Sequence, residues 1–508
     1  MVRVIGTPAG RRGGHTSQNG QALILTLLFA GATGVITLLL YNSGMLANTK
    51  SRLQNAADAA AYSAAVMLAR DHNFSAYTNR AMVANQVAVA QLVSLKSYLD
   101  DAKNTHGRLS GVPLAAEALI PVSKSPWNIG KKVPMGAAQS GYAAIAGGAV
   151  KSLDLLINAF DTSQELHHQA TALNVLVVAD EVAKKNDPKS GVTTGVFQVG
   201  NSLVQLAKWD TAYTKRYRAN DASTQADRFA DVVVSADSTD GFVRNRTSVP
   251  VPSWSSVPYP WFCPIGIPKK TAFGFVHGGG TILSSNKRRW LALDATMGGG
   301  FFQCYYITPW GTVTVTVPLI DLGGSGGAVA GAGGDYNENM GYHSNPFWTK
   351  LYGGALIDPA TAIPGWIRYK IKGPGASLDG GGGLQKNYRD MAALNTKPAN
   401  QSAELNGGAV PLTIEVEHKG ADIRTAAKVI PNPGEIALAD GLKGNTMRAL
   451  ASAHPYFYRA NSDASMFTKA GWKRADGKTE MANLFNPYWQ ARLVDRTEAE
   501  RLMSVGAQ

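Results

Sequence analysis

Histidine, cysteine, serine and carboxylate side chains can ligate metals or carry nucleophilic and acid–base chemistry, and in this chain of 508 residues they are scattered. The nine histidines are dispersed, and only His167 and His168 stand together. Adjacent residues on a helix point about 100° apart, so these two cannot readily share one metal ion. Ser and Asp are plentiful, and no serine is read as a nucleophile elbow of the form GxSxG. Asp379 sits in a Gly-rich stretch with no evident partner. The Gly-rich stretches Gly323 to Gly334 and Gly373 to Gly383 lack the Lys-Ser/Thr ending of a phosphate loop and read as surface loops. Cys263 and Cys304 are the only cysteines, 41 positions apart, with no CxxC or Cys/His metal pattern. In an oxidising compartment they can pair, and closing a loop of that size would stabilise by about 3–4 kcal/mol. Two buried free thiols are the alternative. These residues imply no catalytic site, no cofactor and no metal.

The elements that would position such residues are easier to read. The length suggests several domains. Hydrophobic residues make up 45% of the chain, enough for a folded core, and charged residues only 17%. The formal charge of +13 favours anionic partners: phospholipid headgroups, cell-surface polymers or nucleic acid. The basic clusters, such as Lys131–Lys132 and Lys287–Arg288–Arg289, are short and separate. A nucleic-acid binder carries a longer stripe with stacking aromatics, so nucleic acid is not an expected partner.

The N-terminus says most. No Asp, Glu, Lys or Arg lies between Arg12 and Lys50, and eleven residues of 23–40 are Leu, Ile, Val or Phe. About 20 apolar residues in a helix cross the roughly 30 Å hydrocarbon core. Those eleven side chains sum to roughly −3 to −7 kcal/mol on an insertion scale. A retained transmembrane helix over 21–41 is therefore expected, after a basic cytoplasmic leader over 1–20. A cleaved secretory signal competes: Ala30-Gly31-Ala32 could be its cut site, but the apolar run Val35 to Tyr41 would follow the cut. Arg3, Arg11 and Arg12 before the span, against Lys50 and Arg52 after it, tip the N-terminus toward the cytoplasm. Beyond the membrane the helix continues, since neither Pro nor Gly interrupts 47–106. Its small residues fall at three-to-four spacing, and Leu53, Ala57, Asp58, Ala61 and Ala64 form the expected helix-assembly face.

An apolar span running into Lys50-Ser51-Arg52-Leu53-Gln54-Asn55-Ala56-Ala57-Asp58-Ala59-Ala60-Ala61 resembles the TadE/TadG-like proteins of tight-adherence (Flp) pilus systems. The stretch from Asn73 to Gln86 and the segment Asn483 to Leu493 are similar to a proteobacterial branch of the same group. The resemblance implies an inner-membrane protein with a periplasmic body, partnered by other pilus or pilus-assembly subunits, and without enzymatic activity. Some members carry a metal site of the form D-x-S-x-S. Here only Asp237-Ser238-Thr239-Asp240 approaches it, and the final Ser is missing. Gly20-Gln21 before the apolar run resembles a prepilin cleavage site, although pilins have Glu where this chain has Leu25.

The expected fold class is α+β: a long N-terminal membrane-spanning helix continuing into a helical region, then a β-rich extracytoplasmic domain. The helix over 42–110 leads to a helical region over 111–239, with an irregular Pro-rich connection at 113–135. Helices are expected from about Ala137 to Lys185, with Leu153, Leu156, Ile157 and Phe160 on an apolar face, and over 196–230, with Leu203, Leu206 and Trp209 inward. Dense Pro, Gly, Trp and Tyr, with alternating runs at 312–317 and 413–417, mark a β-rich domain over 240–430. A C-terminal α/β segment over 431–508 starts with a helical pattern at 441–450 and closes with Phe485, Tyr488 and Trp489 packed on the body. The expected function is a membrane-anchored structural or assembly component of a Flp-type pilus or related secretion machine, incorporated in a surface fibre if the leader is cleaved. The alternative is a surface adhesin or tip-pilin-like module whose β-rich domain binds anionic surfaces or polymers.

Overall fold

The computed structural model of the chain describes residues 19–110, 135–194, 196–217, 228–246, 248–255, 267–283, 289–320, 325–331, 376–378, 387–391, 411–426, 445–459, 480 and 482–495. The expectations for residues 1–18, the Pro-rich connection, Cys263, Asp379 and the last dozen residues lie outside that set. The described elements, in chain order, are helix α1 (Asn19–Ser110), α2 (Met135–Asn186), strand β1 (Ser190–Val192), α3 (Val196–Lys208), a π-helical turn (Trp209–Tyr213), β2 (Thr214–Tyr217), α4 (Arg228–Val234) and α5 (Gly241–Arg244). Then follow β3 (Ser248–Ser255), β4 (Ile267–Leu283), β5 (Arg289–Thr308), β6 (Gly311–Ile320), β7 (Ser325–Gly331), β8 (Ala376–Leu378), β9 (Tyr388–Met391), β10 (Leu412–Lys419), a 3₁₀ turn (Gly420–Asp422), β11 (Thr446–Phe457) and β12 (Trp489–Val494). The class is α+β.

α1 is one helix of 92 residues, with no proline to break it. It runs through Gly107 to Ser110, because one glycine costs a helix only about 1 kcal/mol. Side chains from 21 to 41 are exposed almost without exception, whereas from Leu53 onward the helix is the centre of the body.

α2 lies antiparallel along that buried part. Lys103 bonds Gln139, Tyr142 bonds the Leu92 carbonyl at 2.7 Å, His167 meets Asp71 at 2.8 Å, and Arg52 pairs with Asp187 at 3.4 Å. Toward the span the contact is made by small residues. Ala57, Ala60, Ala61 and Ala64 meet Val175, Ala179 and Ala183, and their size lets the axes approach closely.

Two sheets take the rest of α1. The four-stranded antiparallel sheet β1-β10-β11-β12 covers its lower half, placing Leu412, Ile414 and Val416 of β10 against Leu53 to Leu68. The other face of β10 is closed by α3, whose Ser202 and Gln205 bond Thr413. The six-stranded sheet β3-β4-β5-β7-β8, with β6 on the far part of β5, covers the upper half through Trp290, Ala292, Ala328 and Ala330. Both sheets thus form on one helix, and the first draws strands from both sides of residue 240.

Three local readings are corrected. The Gly-rich stretch at 323–334 is not a surface loop where it is described: Ser325–Gly331 is β7, paired to β5, and its residues 326–330 are buried against α1. Its small residues serve a close approach to helix backbone. Residues 446–450 form a strand, not a helix. β11 is buried on both faces between β10 and β12, and that pairing outweighs its Ala-rich helical propensity. The helix expected over 196–230 stops at Lys208. Trp209 is drawn into the core, Leu206 is buried and Leu203 is exposed. Thr214 caps the turn with its hydroxyl and opens β2.

A Cβ at Gly326 would collide with the Ser97 carbonyl oxygen and the Asp101 amide of α1, whereas one at Gly327 would meet its nearest atom at 3.7 Å. Backbone cannot move aside cheaply. Gly326→Ala should therefore destabilise by about 3 kcal/mol, and Gly327→Ala should stay within about 1 kcal/mol. Urea unfolding of the full chain in detergent checks the difference.

Candidate functional site

Three features of α1 can carry function: the exposed apolar stretch, the small-residue face above it, and a polar layer at mid-length. In the apolar stretch, Thr26 and Thr37 return their hydroxyls to the carbonyls of Ala22 and Thr33. The helical backbone and these two returned hydroxyls satisfy their polar groups internally, which suits a helix in lipid. Gly20 and Gln21 both lie inside this helix. The body begins at once above it, where the Asn42 side chain accepts from the Ala426 amide at 2.6 Å and Lys50 donates to the Arg448 carbonyl.

On the small-residue face, Leu53, Ala57, Ala61 and Ala64 are fully buried within this chain, against α2 and the β10–β11 pair. Asp58 stands beside them and accepts from Gln54, whose amide also reaches the Leu450 carbonyl. The face is thus occupied by the chain's own elements.

The polar layer interrupts the buried stripe. Between Leu68 and Met82, Asp71, Ser75 and Asn79 are fully buried, with His72 and Thr78 buried beside them. One carboxylate, Asp71, takes both neighbouring histidines: its Oδ1 meets His167 Nδ1 at 2.8 Å and its Oδ2 meets His168 Nδ1 at 2.6 Å. His168 spans on to Asp210 at 2.9 Å and stacks on Trp209, whose indole donates to His72 at 2.8 Å. Burial favours the neutral acid at Asp71, but the bonds from His167 and His168 outweigh it and hold the carboxyl at about 2. Burial likewise opposes charge on His168, and Asp210 and Asp71 reverse this, raising it above its ordinary value. His72, without a carboxylate in contact, is pushed by burial down to about 3 and stays neutral.

Around this centre the layer ties distant chain segments together. Asn79 donates to the carbonyls of Arg389 at 2.8 Å and Leu484 at 2.6 Å. Asn73 and Trp489 exchange two hydrogen bonds through the Asn73 amide, at 2.9 and 3.0 Å. Gln164 accepts from the Arg389 amide at 2.6 Å and donates to Asn79. The segments 73–86 and 483–493, singled out in the sequence for their resemblance, therefore meet each other here.

A second charged cluster fixes the upper sheet. Arg246 forks onto Asp294 with two 2.8 Å bonds, and both side chains are buried. His277 lies 3.2 Å from Asp101 on α1 and 3.4 Å from Asp294. Burial lowers its affinity for a proton, yet the two carboxylates overcome this and lift it to about 9.

Among the described residues no group of His, Cys, Asp or Glu could hold a metal ion. In the D-x-S-like segment, Asp240 is a helix cap: its Oδ1 accepts from the Val243 amide and its Oδ2 from Gln91. Gly323-Gly324-Ser325-Gly326-Gly327 has the GxSxG spacing of a nucleophile elbow, which the sequence reading passed over. Its serine opens strand β7 and not the strand-to-helix turn that chemistry needs. Cys304 lies in β5 opposite Pro268, and its expected partner Cys263 is outside the described residues. A cleft of 1370 Å³ opens between α1 at Arg80 and Val87, the residues after α4 at Asp237, and the C-terminal turn at Phe485 and Tyr488.

Residues 20–67 match the model of the Flp pilus-assembly TadE/G-like family. This N-terminal segment is TadE/G-like. No curated protein and no solved structure matches the chain. The TadE/G-like segment holds the apolar stretch and the alanine face and ends four residues before Asp71, so the polar layer lies just beyond it. Sequence reasoning missed that layer. Its signal was present: extending the three-to-four stripe past Leu68 lands on Asp71, Ser75 and Asn79, polar residues at core positions.

Asp71→Ala removes the acceptor shared by His167 and His168 and leaves the buried His168 Nδ1 without its partner, and should cost about 1–3 kcal/mol. Thermal unfolding measures it. For His277 the folded value lies above the unfolded one, so its contribution is complete below pH 6.5 and is lost as pH rises through about 9. Across that window stability should fall by up to about 3 kcal/mol, and His277→Gln should flatten the dependence. Melting temperatures at pH 6.5 and 9.5 for both proteins decide it.

Proposed function

We propose that the chain is a membrane-anchored structural or assembly component of a Flp-type pilus or related secretion machine, with its body outside the cytoplasm and without catalysis. One observation carries the reading. The TadE/G-like segment begins as an exposed, charge-free stretch of helix and continues unbroken into the core of the body. Such a helix transmits the position of the anchor to the body without a hinge, as a fixed subunit in an assembly requires. The apolar stretch seats in the inner membrane, the basic leader stays in the cytoplasm, and the partners are other pilus or pilus-assembly subunits.

A second reading, a binding head in the β-rich region, draws on the tip of the β5–β6 hairpin. There Trp310 is 96% exposed and Ile307 73% exposed, an apolar pair at the hairpin tip open to a partner.

The mature N-terminus, read by mass spectrometry from isolated membranes and from sheared surface fibres, tests the reading. An intact start near Met1, in membranes alone, is the outcome for a fixed assembly component. A start at Gln21 in the fibre fraction would make the chain a processed, pilin-like subunit and favour the binding head. A start near Thr33 in soluble protein would overturn the anchor.

A further inference from the structure

α2 is apolar on two opposite sides. Its inner side, including Val150, Ile157 and Val175, is buried against α1 and the sheets. On the other side Ile145, Leu155, Leu166, Leu173 and Val177 are between 53% and 78% exposed. With 100° per residue the two sets centre about 180° apart. The outer positions between them at the same three-to-four spacing are Gly148, Ser152, Ala159, Thr162 and Ala170, all exposed and none charged. Lys151, Asn158 and Gln169 border this seam on one side, Ser163 and Asn174 on the other. The result is an apolar seam about 50 Å long with polar margins. An unpartnered helix needs no such seam; its outer face is normally polar.

We infer that this seam is the contact between two copies of the chain, α2 against α2 in parallel. The parallel sense rests on the anchoring proposed above. α2 runs alongside α1, and two copies held in one membrane by their first helices present the seam in the same direction and at the same height. Each residue then meets its own counterpart, an isologous contact. A charge on the seam would face itself across the two-fold axis, and the seam has none. Large residues at 155, 166 and 173 alternate with small ones at 159, 162 and 170, as interdigitating helices require. A seam about 50 Å by 10 Å buries about 500 Å² on each copy, near 1,000 Å² in total, the lower bound for a specific interface. Confinement to one membrane raises the effective concentration and compensates for the modest area.

The test uses the full chain in its own membranes, with a photo-crosslinking phenylalanine analogue placed singly at Leu166, Leu173 or Asn158. The expected result is a product of twice the chain mass, containing this chain alone, from 166 and 173. Its yield should be about tenfold lower from 158, which lies off the seam. Leu173→Glu should reduce the product from 166 about tenfold while leaving the melting temperature unchanged, since Leu173 is exposed. A product joining this chain to a different protein, a link within one chain, or equal yield from 158 would each overturn the pairing. Carbonate extraction of the same membranes is scored separately. A chain released by carbonate but still dimeric would refute the anchor and spare the seam.

Discussion

One constraint governs the molecule: a single helix must satisfy two environments in succession. Over 21–41, α1 has nothing to bury its side chains against. From Leu53 to Thr105 it is enclosed by α2 and two sheets. An unbroken backbone joins the two regimes, so the body can neither tilt nor rotate relative to the lower helix without bending hydrogen-bonded turns. Every later element is placed with respect to that axis: α2 along it, one sheet below mid-length, the other above.

The polar layer at Asp71 divides the two apolar clusters on this axis. An apolar stripe about forty residues long, from Leu53 to Val93, tolerates slippage by a turn, because alanine matches alanine in several registers. Asp71 receiving two adjacent histidines, and Asn73 and Asn79 each bonded to distant backbone, match in only one. A misregistered α2 would leave a carboxylate and an imidazole unpaired in the core, at a cost of several kcal/mol. The layer therefore sets the register of α2, β9 and the C-terminal segment on α1, and the alanines below it supply close packing with little specificity of their own. Arg246, Asp294 and His277 play the same part for the upper sheet, with Asp101 as the attachment to α1.

The apolar span, the continuity of α1, the extent of α2, the alternating strands at 312–317 and 413–417, and the closing aromatics were legible in the sequence. They depend on local composition and periodicity, which a chain carries without reference to its fold. β7 and β11 were misread because their residue types, Gly and Ala, are explained by neighbours: the α1 backbone in one case and two flanking strands in the other. The π turn at Trp209 was missed for the same reason, since only His72, some 137 positions away, accounts for its indole.

By itself, then, the sequence determined that this chain carries a charge-free helix long enough for a membrane and a family-like segment running out of it. Periodicity and hydrophobicity are sums over near neighbours, and nothing distant alters them. Only the tertiary structure decided that the alanine face is consumed inside the chain, that two adjacent histidines converge on one carboxylate, and that the outer side of α2 is left uncovered. Each of those depends on which segments meet across hundreds of residues, and burial is a property of the meeting and not of the residue.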